Sequence, residues 1–144
     1  MPDDFVFIDT NTWVAWIVDD HVFHDRTEAT LNRLADEGNL FCLSNQTIRE
    51  LISVCSSGRG LSRPLSWLEI QQHINSLLEQ CIFLHENETT TKKLVEIGLR
   101  YVVLGKQIHD TNIVATMLVN GVTRLVTLNP ADFKRFPEIE LIVP

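Results

Sequence analysis

The sequence predicts an α/β fold in which a parallel β-sheet is covered by helices on both faces. Short, wholly apolar runs such as Phe5-Val6-Phe7-Ile8 are typical of strands that are buried on both faces of a parallel sheet. Segments with helical periodicity separate these runs, and this alternation favours parallel strands joined by helices. Because ligands of such folds bind beyond the carboxyl ends of the strands, functional groups are expected there.

The elements predicted for the first half of the chain begin with a strand that stops at Asp9. They are a strand over residues 5–8, helices over residues 11–18 and 24–37, and a strand over residues 40–43. Gly38 suits the position just past the end of a helix. Ser44 or Asn45 can cap the following helix. Its apolar stripe has the i, i+3, i+4, i+7 spacing and consists of Ile48, Leu51, Ile52 and Cys55.

The second half repeats this alternation after a Gly- and Arg-containing loop at residues 56–64. Its predicted elements are helices over residues 66–80, 88–100 and 107–120, strands over residues 82–84, 125–127 and 139–143, and a turn at Asn129-Pro130. Gly105 is expected to interrupt the chain before the last helix, and Gly121 to end that helix. The apolar side of the helix over residues 66–80, which includes Trp67, suits either the core or an interface.

The composition, 44% hydrophobic and 22% charged, is that of an ordinary globular protein. The length of 144 residues fits one compact unit, so we expect a single domain over residues 1–144. Cys42, Cys55 and Cys81 are far apart and form no CxxC motif, so we expect buried free thiols in a reducing cytoplasm. We expect neither a signal peptide nor a membrane span, because no basic n-region and no run of about 18 apolar residues occurs.

The net charge of −7 argues against a general polyanion binder, which is usually basic. A nucleic-acid enzyme with this charge needs cations or local basic groups to offset its acidic residues. The same charge also suits a protein that docks a basic partner.

Three carboxylates occupy similar positions in the predicted elements. Asp9 ends the first strand, and Glu50 and Asp110 lie in the first turns of two helices. Taken singly, each has an ordinary explanation as a helix cap or as an acid that favours the helix dipole. If they converge they repel, because two unit charges about 4 Å apart cost roughly 4 kcal/mol at an effective dielectric near 20. Such repulsion forces protonation or recruits a cation, and oxygen ligands suit Mg²⁺ or Mn²⁺.

Short polar side chains accompany these acids at two strand ends. Thr10 and Asn11 follow Asp9 directly. Asn129 comes just after the apolar strand predicted over residues 125–127, and Asp132 lies three residues further on. This repetition at two strand ends favours a shared polar site over separate helix caps.

Four sequence blocks resemble those of PIN-domain nucleases. They are residues 5–11 (FVFIDTN), 47–51 (TIREL), 109–116 (HDTNIVAT) and 125–133 (LVTLNPADF). The first two resemble the family's opening strand with D-T-N and its second-acid helix. The last two resemble the H-D-x-x-[apolar]-x-A-[ST] helix and the T-x-[ND]-x-x-D-F turn of the bacterial VapC-type toxins. The four blocks occur in the family's order and span nearly the whole chain, which makes the combination specific.

The resemblance implies a Rossmann-like PIN fold, with residues 1–144 as a single PIN domain. It also implies a Mg²⁺- or Mn²⁺-dependent endoribonuclease that leaves a 5′-phosphate. It carries catalytic and metal-ligand roles onto Asp9, Glu50 and Asp110. A metal held by Asp9 and Asp110 would activate water, and Glu50 would position that water or a second ion.

The fourth position of the implied site is Asn129, where many relatives have Asp. Its amide still offers an oxygen ligand but no charge, which should weaken a second metal before the first. Asp132 helps through water or caps the turn. Thr10, Asn11 and Thr127 are candidates for orienting the ligands or water.

The resemblance further implies the toxin of a toxin–antitoxin pair, a cytoplasmic homodimer that acts on RNA and is inhibited by a small antitoxin protein. An Arg or Lys of that antitoxin would satisfy the carboxylates. The basic residues that either contact the RNA backbone or are simply solvated are Arg49, Arg59, Arg63, Lys106, Lys134 and Arg135. The loop with Arg59 and Arg63 is favoured, because it is polar and directly follows the acidic helix.

Other interpretations stay open on the sequence alone. The main rival is a PIN fold that binds RNA or protein without cleaving it. A phosphoaspartate enzyme or a receiver domain is a weaker rival. Such enzymes usually present D-x-D after the first strand, and Asn11 stands two residues beyond Asp9. Receivers usually have a paired acid near the start and a late lysine after a strand, and neither is in the expected place. His21 and His24 have an i, i+3 spacing but lack the further ligands of a zinc set. His109 is a candidate base or a residue that bonds the backbone.

Overall fold

The computed structural model describes residues 2–144 and contains a five-stranded sheet. Its strands are β1 (Phe5–Ile8), β2 (Leu40–Ser44), β3 (Ile82–Leu84), β4 (Arg124–Val126) and β5 (Glu140–Ile142). They lie in the order β3-β2-β1-β4-β5, and every pairing is parallel. The predicted α/β class with a central parallel sheet is therefore confirmed.

Helices precede or follow each strand, as the sequence predicted. They are α1 (Thr10–Ile17), α2 (His24–Asp36), α3 (Asn45–Ser57), α4 (Trp67–Gln80), α5 (Glu88–Tyr101) and α6 (Gln107–Val119). Short 3-10 helices occupy Pro2–Asp4 and Pro130–Asp132, and the second of these forms the turn predicted at Asn129-Pro130. Ser44 lies at the N-cap of α3 but does not cap it with its side chain; its hydroxyl is 3.4 Å from that of Thr47 instead.

The two faces of the sheet carry separate apolar clusters, because successive side chains of a strand point to opposite faces. Phe7 of β1 packs in a cluster that includes Ile97 of α5 and Ile113 of α6. Its neighbours Val6 and Ile8 pack in the other cluster, to which helices α1 to α4 contribute. Helices thus cover both faces of the sheet, and this explains why the central strand β1 is wholly apolar.

The sequence left the apolar side of α4 to either the core or an interface, and the 67% exposure of Trp67 places that residue outside the core. The prediction of buried thiols holds for Cys42 and Cys55, whereas Cys81 is only half-buried. All three cysteines are free. Within residues 2–144, no helix is long and apolar enough to cross a bilayer.

The order of the strands determines where a ligand can bind. The chain passes from β1 to β2 and β3 on one side and returns to β4 and β5 on the other, so the order reverses between β1 and β4. A crevice forms at the carboxyl ends of strands at such a switch point. Helix α6 leads directly into β4 and therefore begins at that same edge, which is the position predicted for Asp110.

Candidate active site

A cavity of about 540 Å³ opens at the carboxyl edge of β1 and β4. Four acidic residues from different elements line it, namely Asp9 after β1, Glu50 of α3, Asp110 of α6 and Asp132 of the second 3-10 helix. Of the short polar residues predicted to accompany these acids, Thr10, Asn11 and Asn129 also line it. The structure therefore brings the predicted acids to one cleft, although they are up to 123 positions apart in the sequence (9 to 132).

Asp9 is buried and held on both carboxylate oxygens. One oxygen accepts a hydrogen bond from the backbone N–H of Thr10 at 2.8 Å, and the other accepts one from the Thr127 hydroxyl at 2.8 Å. Burial raises the pKa of Asp9 from an ordinary 3.8 to about 7; these two hydrogen bonds oppose the rise, and repulsion from Asp110 and Glu50 adds to it. Asp9 does cap α1, as its simplest explanation required, and the same carboxylate lines the cavity.

Glu50 is also held on both oxygens. The Thr10 hydroxyl donates to one at 3.0 Å, and the Gln46 side-chain amide donates to the other at 2.9 Å. The same amide donates to the backbone carbonyl of His109 at 2.8 Å, and its oxygen accepts from Asn112 at 2.7 Å. Gln46 is buried and thus joins α3 to the first turns of α6.

Sequence reasoning missed Gln46 and Asn112. Gln46 lies four residues before Glu50, on the same side of α3, and Asn112 lies within the block that contains Asp110. These positions relative to Glu50 and Asp110 were the sequence features that could have identified both residues. Asn112 also donates to Glu86 at 3.1 Å, which extends the network to the segment after β3.

Asp110 is half-buried in the first turn of α6. Its pKa is raised to about 6, chiefly by burial and then by repulsion from Asp132 and Glu50. His109 and Arg135 oppose this rise. Asp110 therefore experiences an excess of negative charge, which a cation would relieve.

Asn129 and Asp132 form the exposed margin of the cavity. The side-chain amide of Asn129 donates to Asp132 at 2.7 Å, and its backbone N–H donates to the Thr127 hydroxyl at 3.0 Å. Asn11 accepts from the backbone N–H of Leu128 at 3.2 Å. Asn11 thus holds the turn after β4, while Thr127 joins that turn to Asp9.

Of the predicted RNA-contacting residues, Arg59 is the one that lines the cavity. Arg63 lies in the same loop but makes two hydrogen bonds to Glu69, at 2.7 and 3.1 Å, which hold the pKa of that carboxyl at about 2. Arg135 donates to Gln107 at 2.9 Å. The remaining predicted cations are exposed and lie outside the lining; these are Arg49, Lys106 and Lys134.

His21 and His24, the two histidines with an i, i+3 spacing, lie in different surroundings. His24 contacts the Ala15 carbonyl through Nδ1 at 2.9 Å, and its Nε2 lies 3.3 Å from Glu28. His21 instead lines the cavity together with Phe23 and Leu61, and sequence reasoning did not place these residues at the site. The side chain of His109 is exposed, and its backbone carbonyl accepts the hydrogen bond from Gln46.

The donor set fits a hydrated divalent cation better than a closed metal cage. Within residues 2–144, no three His, Cys, Asp or Glu side chains lie close enough together to hold an ion by themselves. Mg²⁺ usually keeps several waters and is bound through one or two carboxylates and substrate phosphates. Oxygen donors that repel one another in a partly buried cleft meet this requirement.

Comparison with known proteins gives fold and family. A search of curated proteins found no significant match. VapBC2 from Rickettsia felis, solved with a DNA fragment from its promoter, has a TM-score of 0.74 at 22% identity, covering 97% of this chain and 98% of that chain. VapBC-1 from nontypeable Haemophilus influenzae has a TM-score of 0.71 at 19% identity, covering 96% of this chain and 97% of that chain. Mycobacterium tuberculosis VapC20, a sarcin–ricin loop cleaving toxin, has a TM-score of 0.63 at 16% identity, covering 83% of this chain and 86% of that chain.

The family follows from a separate comparison of the sequence itself. The family model described as the PIN domain matches residues 6–139, which include Asp9, Glu50, Asp110, Asn129 and Asp132. The strand order and the acidic cleft at the switch point agree with that match. This chain belongs to the PIN domain family.

Proposed function

We propose that this protein is a metal-dependent endoribonuclease and the toxin of a toxin–antitoxin pair. The observation that carries the proposal is the convergence of Asp9, Glu50 and Asp110 on one cavity at the switch point of a PIN-domain sheet. Structural neighbours that are VapBC complexes support the biological assignment. VapC20, which cleaves the sarcin–ricin loop, supports structured RNA as the substrate class.

Mg²⁺ or Mn²⁺ is the cofactor that we propose, with Asp9 and Asp110 as its principal ligands. When bound, such a cation activates water for attack and neutralises charge on the phosphate. Glu50 would orient the attacking water or hold a second cation, and Asn129 and Asp132 would assist. The product of in-line attack that expels the 3′ oxygen is a 5′-phosphate.

The chain's own contribution to this reaction is preorganisation. Thr10 donates to Asp9 through its backbone and to Glu50 through its hydroxyl, so one residue sets the relation between the two carboxylates. Thr127 and Gln46 hold the remaining oxygens. Groups that are fixed before the substrate arrives need little reorganisation during the reaction.

Exposed apolar surfaces support the proposed protein partners. Five such side chains on α5, the loop after it and the first turn of α6 suit a homodimer interface, namely Val95, Leu99, Val102, Leu104 and Ile108. Trp67 and Leu68 of α4, which are 67% and 64% exposed, offer a separate surface for an antitoxin. An antitoxin Arg or Lys would complement the carboxylates of the cavity. The free thiols support the cytoplasm as the compartment.

Cleavage of structured RNA by the purified protein tests the enzymatic part of the proposal. Cleavage should require Mg²⁺ or Mn²⁺ and should stop in EDTA. Asp9→Asn should reduce it roughly a thousandfold, because the metal supplies several kcal/mol of charge stabilisation. The matched control is Asp36→Asn, an exposed acid at the end of α2, which should retain full activity. Full activity of Asp9→Asn, or of the wild type in EDTA, would contradict the metal mechanism.

Expression in cells tests the biological part. Expression of the wild type should arrest growth, and co-expression of the small gene next to it should relieve the arrest. Asp9→Asn should not arrest growth at all. Arrest by both proteins alike would contradict a toxin that acts through this site.

A further inference from the structure

The cavity has a second wall that the acidic residues do not form. The segment between α1 and α2 contributes His21 and Phe23, and the loop between α3 and α4 contributes Arg59, Gly60 and Leu61. This second wall therefore combines aromatic, apolar and cationic groups. The metal and the phosphodiester that is cleaved occupy the acidic part of the cavity. The second wall is therefore available to bind other portions of a substrate.

Arg59 supplies the positive charge of the second wall. Its guanidinium has no hydrogen-bond or ion-pair partner among residues 2–144. Arg63 differs, because Glu69 binds it through two hydrogen bonds. The loop that carries Arg59 turns sharply at Gly58, where φ is +72° and an added Cβ would lie 2.7 Å from the backbone nitrogen of Pro64. An unpaired guanidinium in a cleft is suited to bind a phosphate through two hydrogen bonds.

His21 and Phe23 add a fixed aromatic surface and a hydrogen-bond donor. Nδ1 of His21 accepts from the backbone N–H of Phe23 at 3.0 Å, so a neutral imidazole carries its proton on Nε2. Burial favours that neutral form, since it lowers the pKa of His21. Nε2 has no hydrogen-bond partner within the described residues. The Phe23 ring is held by the Arg26 guanidinium, 4.2 Å from its centroid.

We propose that the second wall is a subsite for one nucleotide of a single-stranded RNA segment next to the cleaved bond. The base packs against Phe23 and Leu61, His21 Nε2 donates to an acceptor of that nucleotide, and Arg59 binds its phosphate. This inference rests on the proposed function and names how that function's substrate is held. The whole cavity, about 540 Å³, is within the usual range for ligand sites, ~300–1,000 Å³. Arg59 favours a phosphate over a basic antitoxin segment, because two cations repel.

Binding of a fluorescein-labelled single-stranded RNA octamer, measured by anisotropy over a range of salt concentrations, tests the subsite. All variants are made in the Asp9→Asn background, so that the probe stays intact. Arg59→Ala should weaken binding about tenfold and reduce the slope of log affinity against log salt by about 0.7, the value for one phosphate contact on a single strand. Phe23→Leu should weaken binding about fivefold or more, as expected for loss of aromatic contact with a base.

Arg63→Ala is the matched control, because Arg63 lies in the same loop but is bound to Glu69. It should change affinity less than twofold, and thermal unfolding should show that every variant is folded. Unchanged affinity and salt slope in Arg59→Ala, or an equal effect of Arg63→Ala, would overturn the subsite. If the wild type cleaves RNA while both wall variants bind normally, the subsite alone fails. If the wild type does not cleave RNA but the wall variants lose binding as described, the enzymatic function alone fails.

Discussion

The two sides of the acidic cavity differ in how firmly their side chains are held. On the buried side, every carboxylate oxygen of Asp9 and Glu50 accepts a hydrogen bond. On the exposed side, Asn129 and Asp132 share a single side-chain hydrogen bond at the surface. The buried side is therefore preorganised, whereas the exposed side can adjust to what binds.

This difference follows from where each side originates in the fold. Asp9 directly follows β1, a central strand of the sheet, and its backbone N–H donates to Val126 of β4 at 2.9 Å. Asn129 and Asp132 belong to a short 3-10 helix outside the sheet. We therefore expect changes on the buried side to have large effects and changes on the exposed side to have small ones.

The largest expected effect on stability comes from removing the charge of Asp9. Its pKa in the folded protein, about 7, is above the ordinary 3.8, so the folded state binds the proton more tightly. Stability without metal should therefore fall as the pH rises from about 4 to about 7. At pH 8 in EDTA, the free energy of unfolding of Asp9→Asn should exceed that of the wild type by up to about 4 kcal/mol, because each pKa unit corresponds to about 1.4 kcal/mol.

Urea unfolding in EDTA at pH 4 and pH 8 measures this effect, with Asp36→Asn as the control. The advantage of Asp9→Asn should disappear at pH 4, where the wild-type carboxyl is protonated. A variant that is equally destabilised at both values would show that the hydrogen bonds of Asp9 outweigh its buried charge.

A smaller effect is expected from Gln46→Ala, which removes the bridge between Glu50 and α6. Cleavage should fall about 10- to 100-fold, the range for losing a residue that orients a metal ligand. The half-saturating Mg²⁺ concentration should rise as well. The control is Gln72→Ala, on the exposed surface of α4, which should behave as the wild type. An activity loss that excess Mg²⁺ does not reduce at all would assign Gln46 a role in folding only.

The smallest effect is expected on the exposed side. Asn129→Asp adds a charge there and should lower the half-saturating Mg²⁺ concentration roughly two- to fivefold, since an exposed charge pair contributes up to about 1 kcal/mol. Asp132→Asn should shift it in the opposite direction by a similar factor. A change larger than that of Gln46→Ala would reverse the ranking of the two sides.

The parts of the site that depend on the direction of the backbone were predictable from the sequence. Asp9 was placed by the apolar strand before it, and Asp110 by a helix that must begin at the carboxyl edge in order to lead into β4. The bridge through Gln46 was not predictable, because it depends on how closely α3 and α6 pack. Gln46 and His109, which it joins, are 63 positions apart in the sequence. The pattern also could not separate Arg59 from Arg63, since only the fold shows that Glu69 pairs with Arg63. Likewise, helical periodicity identifies the apolar side of α4 but not that Trp67 on it is exposed.

Direct binding of Mn²⁺, measured by electron paramagnetic resonance, tests the central claim that this acidic cleft is a metal site. The wild type should bind Mn²⁺ in the absence of RNA, and Asp9→Asn and Asp110→Asn should each weaken binding at least about tenfold while the fold is retained. Asn129→Asp should tighten it slightly. Equal Mn²⁺ affinity in the wild type and in both acid-to-amide variants would contradict the account.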